Sequence, residues 1–195
     1  MSAAFDAIVA SPAVLAARAR YAAPALAPSA DVPLLPLGTR EQTFIAARDS
    51  FYLATVGESG WPHVQHRGGP RGFLQVLSPT RIGFADYTDN RQYVSVGNLT
   101  ANDRAALILV DYPQRRRLKI LGRVRIVDGT ALPTFAAAAL PGAGKVRIER
   151  FLFIDVAAWD WNCSQHISPR YTADEWSFQS GTNNAFPQPT PETPA

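Results

Sequence analysis

The sequence predicts a mainly β domain: a small antiparallel barrel of six to seven short strands with helices at its periphery. Three observations carry this. From Phe51 to Val156 the chain is a series of apolar runs of strand length, each ended by a turn former such as Glu58-Ser59-Gly60 or Ser78-Pro79-Thr80. Residues Leu118 to Val127 alternate, with Leu118, Ile120, Val124 and Ile126 on one side and Arg117, Lys119, Arg123 and Arg125 on the other. Helical periodicity is confined to the first quarter of the chain and to short segments elsewhere.

The opening stretch, Phe5 to Tyr21, is rich in alanine and interrupted by Ser11-Pro12, which suits an N-cap followed by the first position of a second helix. Two short helices are expected. Pro24 to Pro36 contains too much proline for helix or central strand and should form an extended arm. Thr39-Arg-Glu-Gln42 has the spacing of a capping box before a helix ending near Arg48.

Strands are then expected at Phe51 to Val56 and from His63, as a hairpin, followed by an irregular link from His66 to Gly72. Further strands fall at Phe73–Leu77, Arg81–Ala85, Ala105–Asp111, Leu118–Val127 and Arg147–Val156. Short helices are expected at Pro133–Leu140 and Thr172–Trp176, and a Pro-rich, unpacked tail at the end. The domain limits that follow are an arm over residues 1–38, the barrel over 39–178 and the tail over 179–195.

With 195 residues, 47% hydrophobic and 18% charged, the chain suits one globular domain with extensions, to which its 16 prolines also point. A net charge of +3 without a dense basic patch does not argue for nucleic acid. A lone cysteine, Cys163, allows no intrachain disulfide and suits a reducing, cytoplasmic setting; it is expected to be a packed small side chain. No apolar run approaches the roughly 20 residues that span a bilayer, so no membrane partner is expected.

The stretch that carries chemistry is Arg81 to Leu99, strand, turn and helix start. Asn90 is placed as the N-cap of a helix whose first turn holds Arg91 and Gln92, followed by Tyr93, Val94 and Val96. A cation there is unfavourable for the helix itself and is explained by an anion, so the stretch reads as a phosphate cradle.

Longer motifs give a resemblance. D-S-F-Y-L-A-T-V at 49–56, G-W-P-H-V-Q-H-R-G-G-P-R-G-F-L at 60–74, G-F-A-D-Y-T-D-N-R-Q-Y-V-S-V-G-N-L at 83–99, R-L-K-I-L-G-R at 117–123 and W-N-C-S-Q-H-I at 161–167 resemble the FMN-binding split barrels of the pyridoxamine 5'-phosphate oxidase-like family, in its flavin-nucleotide-binding branch. The resemblance runs from about Thr39 to Tyr171 and implies a homodimer with two flavins in clefts between subunits.

It also implies roles. The segment from His66 to Phe73 would run along the flavin ring and ribityl chain, Asn90-Arg91-Gln92 would hold the FMN phosphate, and Arg117 would contact the flavin with Lys119 pointing the same way. Gln165, His166 and Arg170 lie in the segment that closes over the flavin of the partner subunit. The candidate cofactor-binding set is thus His66, Arg67, Gly68, Gly69, Phe84, Ala85, Asp86, Asn90, Arg91, Gln92, Arg117, Lys119, Gln165 and His166.

Two departures limit the transfer. The oxidases hold phosphate with an Arg-Lys pair, and Arg91-Gln92 lacks the second charge unless Arg71 or Arg117 supplies it. The residues that grip pyridoxamine phosphate have no clear counterpart in Q-H-I-S-P-R, so vitamin B6 oxidation is not expected.

The implied activity is FMN-mediated hydride or electron transfer with a small-molecule donor, and the alternative is a flavin or haem carrier or sensor on the same fold. Because the cofactor carries such chemistry, no catalytic acid or base is assigned. His63, His66 and His166 lack a nearby carboxylate and do not make a convincing metal set. The four tryptophans are expected mostly in the core or at the dimer interface.

Overall fold

The computed structural model describes residues 2–24, 26, 35–88, 91–131, 148–163 and 165–180. Its strands are β1 (Ser50–Val56), β2 (Pro62–Gly68), β3 (Gln75–Ser78), β4 (Arg81–Tyr87), β5 (Arg104–Asp111), β6 (Arg116–Asp128) and β7 (Ile148–Asn162). The helices are α1 (Ala3–Val9), α2 (Pro12–Arg20), α3 (Thr39–Ala46), α4 (Val94–Ala101) and α5 (Ala173–Ser180). All seven strands form one antiparallel sheet in the order β2-β1-β5-β6-β7-β4-β3.

Local sequence explains most of these elements. The β1–β2 hairpin closes through a Gly60 N–H to Gly57 carbonyl bond of 3.0 Å, with Gly60 at φ +79°, a conformation that favours glycine. Ser11 caps α2, its side chain accepting from the Val14 N–H, and Pro12 takes the first helical position. The alternation in β6 holds: Leu118, Ile120 and Val124 are buried, Arg123 and Arg125 are exposed.

The apolar sides face one core. Phe51, Leu53, Ile82, Phe84, Leu109, Leu118, Ile120, Leu152 and Ile154 are all nearly solvent-free there, and Phe51 meets Phe84 edge-on with ring centroids 5.2 Å apart. Burying each such side chain contributes about 1.5–3 kcal/mol. At Gly122, where the β6–β7 register shifts, a Cβ would lie 2.7 Å from both the Asp155 carbonyl oxygen and the Ile154 side chain. Only glycine fits this bulge without a shift of backbone.

Several boundaries differ from expectation. The box ahead of α3 is made by Gly38 and Glu41, not Thr39 and Gln42: the Glu41 carboxylate accepts the Gly38 N–H at 3.1 Å, and Gln42 donates instead to the Leu37 carbonyl at 2.7 Å. Buried Glu41 also accepts from the Trp161 indole at 2.7 Å, which ties α3 to β7. His66 to Gly68 belong to β2 rather than to a link, because they pair with Tyr52 to Ser50. β7 runs on to Asn162, where Trp159 and Trp161 continue the pairing with β6.

Cys163 is exposed rather than packed. Trp61 is likewise 79% exposed. The expected helix at Pro133–Leu140, the bulk of the arm at Pro24–Pro36 and the proline tail lie outside the described residues. Among the described residues no helix is long and apolar enough to cross a membrane.

Candidate functional site

The sheet order leaves β2 and β3 at its two edges, and β2 is joined to β4 by side chains rather than by a strand ladder. His63, Gln65 and Arg67 share the inward face of β2, opposite Thr55, Leu53 and Phe51 of β1. Arg67 reaches across this seam to the Asp86 carboxylate at 2.6 Å and donates to Gln65 at 3.1 Å. Gln65 in turn accepts from the Ser95 hydroxyl of α4 at 2.9 Å, and Asn98 of the same helix donates to Thr55 at 3.1 Å. Helix α4 is therefore pinned on the open end of the barrel by its polar side chains.

Asp86 has a second partner. Arg150 faces it in register on β7 and donates to its other oxygen at 3.1 Å, while a further Arg150 nitrogen binds Glu149 at 2.6 Å. Glu149 also accepts from the Tyr93 hydroxyl at 2.8 Å, and the Arg150 guanidinium lies 4.8 Å from the Tyr93 ring centroid. Around a space of about 30 Å³ stand Gln65, Arg67, Asp86, Tyr87, Arg91, Gln92, Tyr93, Val96, Glu149 and Arg150. Three guanidinium groups thus face two carboxylates. The Tyr87 ring packs on the other face of β4 with Ala85, Phe151 and Ile148, and burial there pushes its phenol above the ordinary value, because the anion would be poorly solvated.

The cradle is formed differently from the sequence expectation. Helix α4 begins at Val94, with Tyr93 as its N-cap residue in the left-handed region at φ +51° and without a side-chain capping bond. Arg91, also left-handed at φ +57°, and Gln92 precede the helix rather than opening it. Asn90 lies outside the described residues. Two non-glycine residues in left-handed backbone within three positions is local strain of about 1–2 kcal/mol each, held by the Tyr93–Glu149 bond and the Ser95–Gln65 bond.

Of the candidate residues, Arg67, Asp86, Arg91 and Gln92 come together here. Phe84 lies beneath them in the core, 5.9 Å from the Arg67 guanidinium, and Ala85 faces the other way onto Phe151. His66 lies on the opposite face of β2 against Tyr52. A Cβ at Gly69 would lie 2.8 Å from Phe73, and one at Gly68 3.0 Å from His66, so internal packing already accounts for both glycines.

Arg117 and Lys119 share the outward face of β6, away from this space. Lys119 is 4.0 Å from Asp160 and lies over the Phe5 ring at 4.5 Å, covered by α1. Arg117 has a buried Nε–H with no hydrogen-bond partner. Gln165 and His166 are exposed in the C-terminal segment, and Arg170 lies 4.9 Å from the Tyr112 ring. Arg71 pairs with Glu175 at 2.9 Å and does not supply the missing charge.

Sequence reasoning missed Tyr93, Glu149 and Arg150. Only the β4–β7 register, which sets Arg150 opposite Asp86, brings the last two to the site.

The fit to an FMN phosphate is tested by one orphaned atom. The Nε–H of Arg67 is buried at this site with no partner, and a buried donor without an acceptor costs about 1–3 kcal/mol. With Arg91 and Gln92 beside it, the donor set suits a phosphate.

The profile of the pyridoxamine 5'-phosphate oxidase family matches residues 38–160, and the chain belongs to that family. Among solved structures, HupZ of Group A Streptococcus is 15% identical, with 69% of this chain and 100% of that chain covered and a TM-score of 0.49. A Clostridium acetobutylicum protein related to general stress protein 26 is 15% identical over 66% and 88% of the two chains, at 0.46. A pyridoxamine 5'-phosphate oxidase-related, FMN-binding protein of Nostoc punctiforme is 17% identical over 58% and 73%, at 0.40. No curated protein matches the chain.

Proposed function

We propose that the protein binds FMN and uses it for electron transfer to or from a small molecule, with the flavin phosphate at the β2–β4 seam. The observation that carries this is the convergence of Arg67, Arg91 and Gln92 on one space, with a buried Arg67 N–H left unpaired, in a chain of this family. FMN bound there would supply the redox-active ring. The chain's own part is to hold the phosphate through charge-assisted bonds from arginine and to orient the cofactor.

We further infer that two copies pair through the outward face of the sheet. Tyr52, Val56 and Val64 are exposed there. Beside them Ile8, Ala54, Pro62, Ala106 and Leu121 line an apolar groove of about 440 Å³. A continuous apolar face of this kind in a folded chain marks an interaction surface, and Arg117 and Lys119 lie on the same face. Sedimentation at micromolar concentration should give twice the chain mass, and Val64→Asp should shift it to monomer.

The decisive experiment is the visible spectrum of the purified protein, with heat release and mass identification of any chromophore. Flavin bands and released FMN are the expected result, followed by oxidation of reduced nicotinamide by the holoprotein. A colourless protein that also fails to take up added FMN overturns the proposal, and a Soret band would replace flavin by haem.

A further inference from the structure

We propose that Arg150 is a third phosphate-binding residue of the cradle, replacing the charge that Gln92 does not provide. This rests on the flavin-binding reading above. Arg150 occupies the same space as Arg67 and Arg91. It stands inside the barrel mouth because β7 pairs with β4 in a register that sets it opposite Asp86, and its side chain is only 14% exposed.

The way its neighbours are shared explains how it can take a ligand. The two oxygens of Asp86 are divided between Arg67 and Arg150 at 2.6 and 3.1 Å, an anion held between two guanidinium forks. A guanidinium carries five N–H donors, and Arg150 spends one nitrogen on Asp86 and another on Glu149. Asp86 thereby holds both arginines splayed toward the space between them, and a phosphate entering beside Arg91 meets donors already oriented. Three arginines against Asp86 and Glu149 leave one net positive charge before the phosphate arrives. Without Arg150 the count is zero, so its charge decides whether the seam attracts an anion. Arg71 cannot serve, being paired with Glu175 elsewhere.

FMN and riboflavin differ only in the phosphate, so the ratio of their dissociation constants isolates this contact. Fluorescence-quenching titrations with wild type, Arg150→Gln and Arg150→Lys test it, Gln keeping a donor for Asp86 and Lys keeping the charge without the fork. Loss of one charge-assisted contact should weaken FMN by about 10- to 100-fold in Arg150→Gln. Riboflavin binding should not change, and Arg150→Lys should recover part of the loss. An unchanged FMN-to-riboflavin ratio overturns the role of Arg150 while leaving the flavin site intact.

If wild type binds neither flavin, the flavin reading fails, and inorganic phosphate becomes the probe. A phosphate-dependent rise in melting temperature that Arg150→Gln abolishes and Arg150→Lys restores would still support an anion site at Arg150. No such rise in wild type, or one that Arg150→Gln retains, overturns it.

Discussion

Arg67 of β2 and Asp86 of β4 meet at 2.6 Å across the seam of the sheet, joining strands that share no backbone hydrogen bonds. Both side chains are less than one-fifth exposed, and Arg150 approaches the same carboxylate from β7. One acid therefore serves the architecture and the site together. It ties the edge strand β2 to the barrel and orients two arginines of the cradle.

Removing that carboxylate should cost more than removing a surface charge. Asp86→Ala leaves two largely buried guanidinium groups facing each other, and breaking such a cluster by losing one partner costs about 3–5 kcal/mol when fully buried. Partial solvent access lowers the expected loss to about 2–4 kcal/mol. Asp86→Asn, which keeps the acceptor oxygen, should lose less. The urea midpoints of the three proteins check this, and an unchanged midpoint for Asp86→Ala would show that the seam is held by other contacts.

Arg91 offers the complementary case. Its side chain is exposed beside the seam, so Arg91→Ala should leave the urea midpoint within about 0.5 kcal/mol of wild type, as ordinary for a surface change. The same variant should weaken FMN by about tenfold or more through loss of a charge-assisted phosphate contact, with riboflavin unaffected. Paired stability and flavin titrations separate the two effects, and equal losses for FMN and riboflavin would count against a phosphate role.

What was legible in the sequence was what local pattern determines. The alternation around Lys119 gave the faces of β6, Ser11-Pro12 gave the start of α2, and the turn at Gly60 gave a hairpin, because each depends on neighbours in the chain. The start of α4 was misplaced because tertiary bonds set it: Ser95 to Gln65 and Tyr93 to Glu149 reach strands remote in sequence. Alternation put Arg117 and Lys119 on one face but could not show that Phe5 of α1 covers Lys119. Arg150 had no local signal at all. It reaches the cradle through strand register, which single-sequence periodicity does not encode.

The link between α1 and β6–β7 gives a further expectation. Phe5 packs on Ala158 and lies under the Lys119 ammonium, and Ser2 donates to the Trp159 carbonyl at 2.6 Å and to Asp160 at 3.0 Å. Phe5→Ala removes about 3–5 kcal/mol of contact in a full core. Here it should instead free the short α1 locally, because Phe5 and the N-cap Ser2 together anchor its first turn. Limited proteolysis should then cleave before Thr39 at least tenfold faster than in wild type, a ratio equivalent to about 1.4 kcal/mol of local opening, while the barrel stays intact. Cleavage at the wild-type rate would mean that Phe5 does not anchor the arm.

Tyr87 sets the behaviour at alkaline pH. Its ring packs with Ala85, Phe151, Ile148 and Phe153 on the side of β4 away from Phe84, and burial raises its pKa above the ordinary 10.0. In the unfolded chain it loses its proton near that ordinary value, whereas in the folded chain the neutral form persists to higher pH. The folded state therefore binds more protons between the two pKa values, and stability falls as pH rises through that window. The contribution is fully present below pH 10.0 and is lost above the folded pKa. Tyr87→Phe cannot ionise, so its urea midpoint should decline less than that of wild type between about pH 8 and about pH 11. Ultraviolet titration of tyrosinate should show one fewer late-titrating phenol in the variant. Parallel declines of the two midpoints would place the alkaline sensitivity on other tyrosines and leave Tyr87 with a packing role against Phe151 and Ile148.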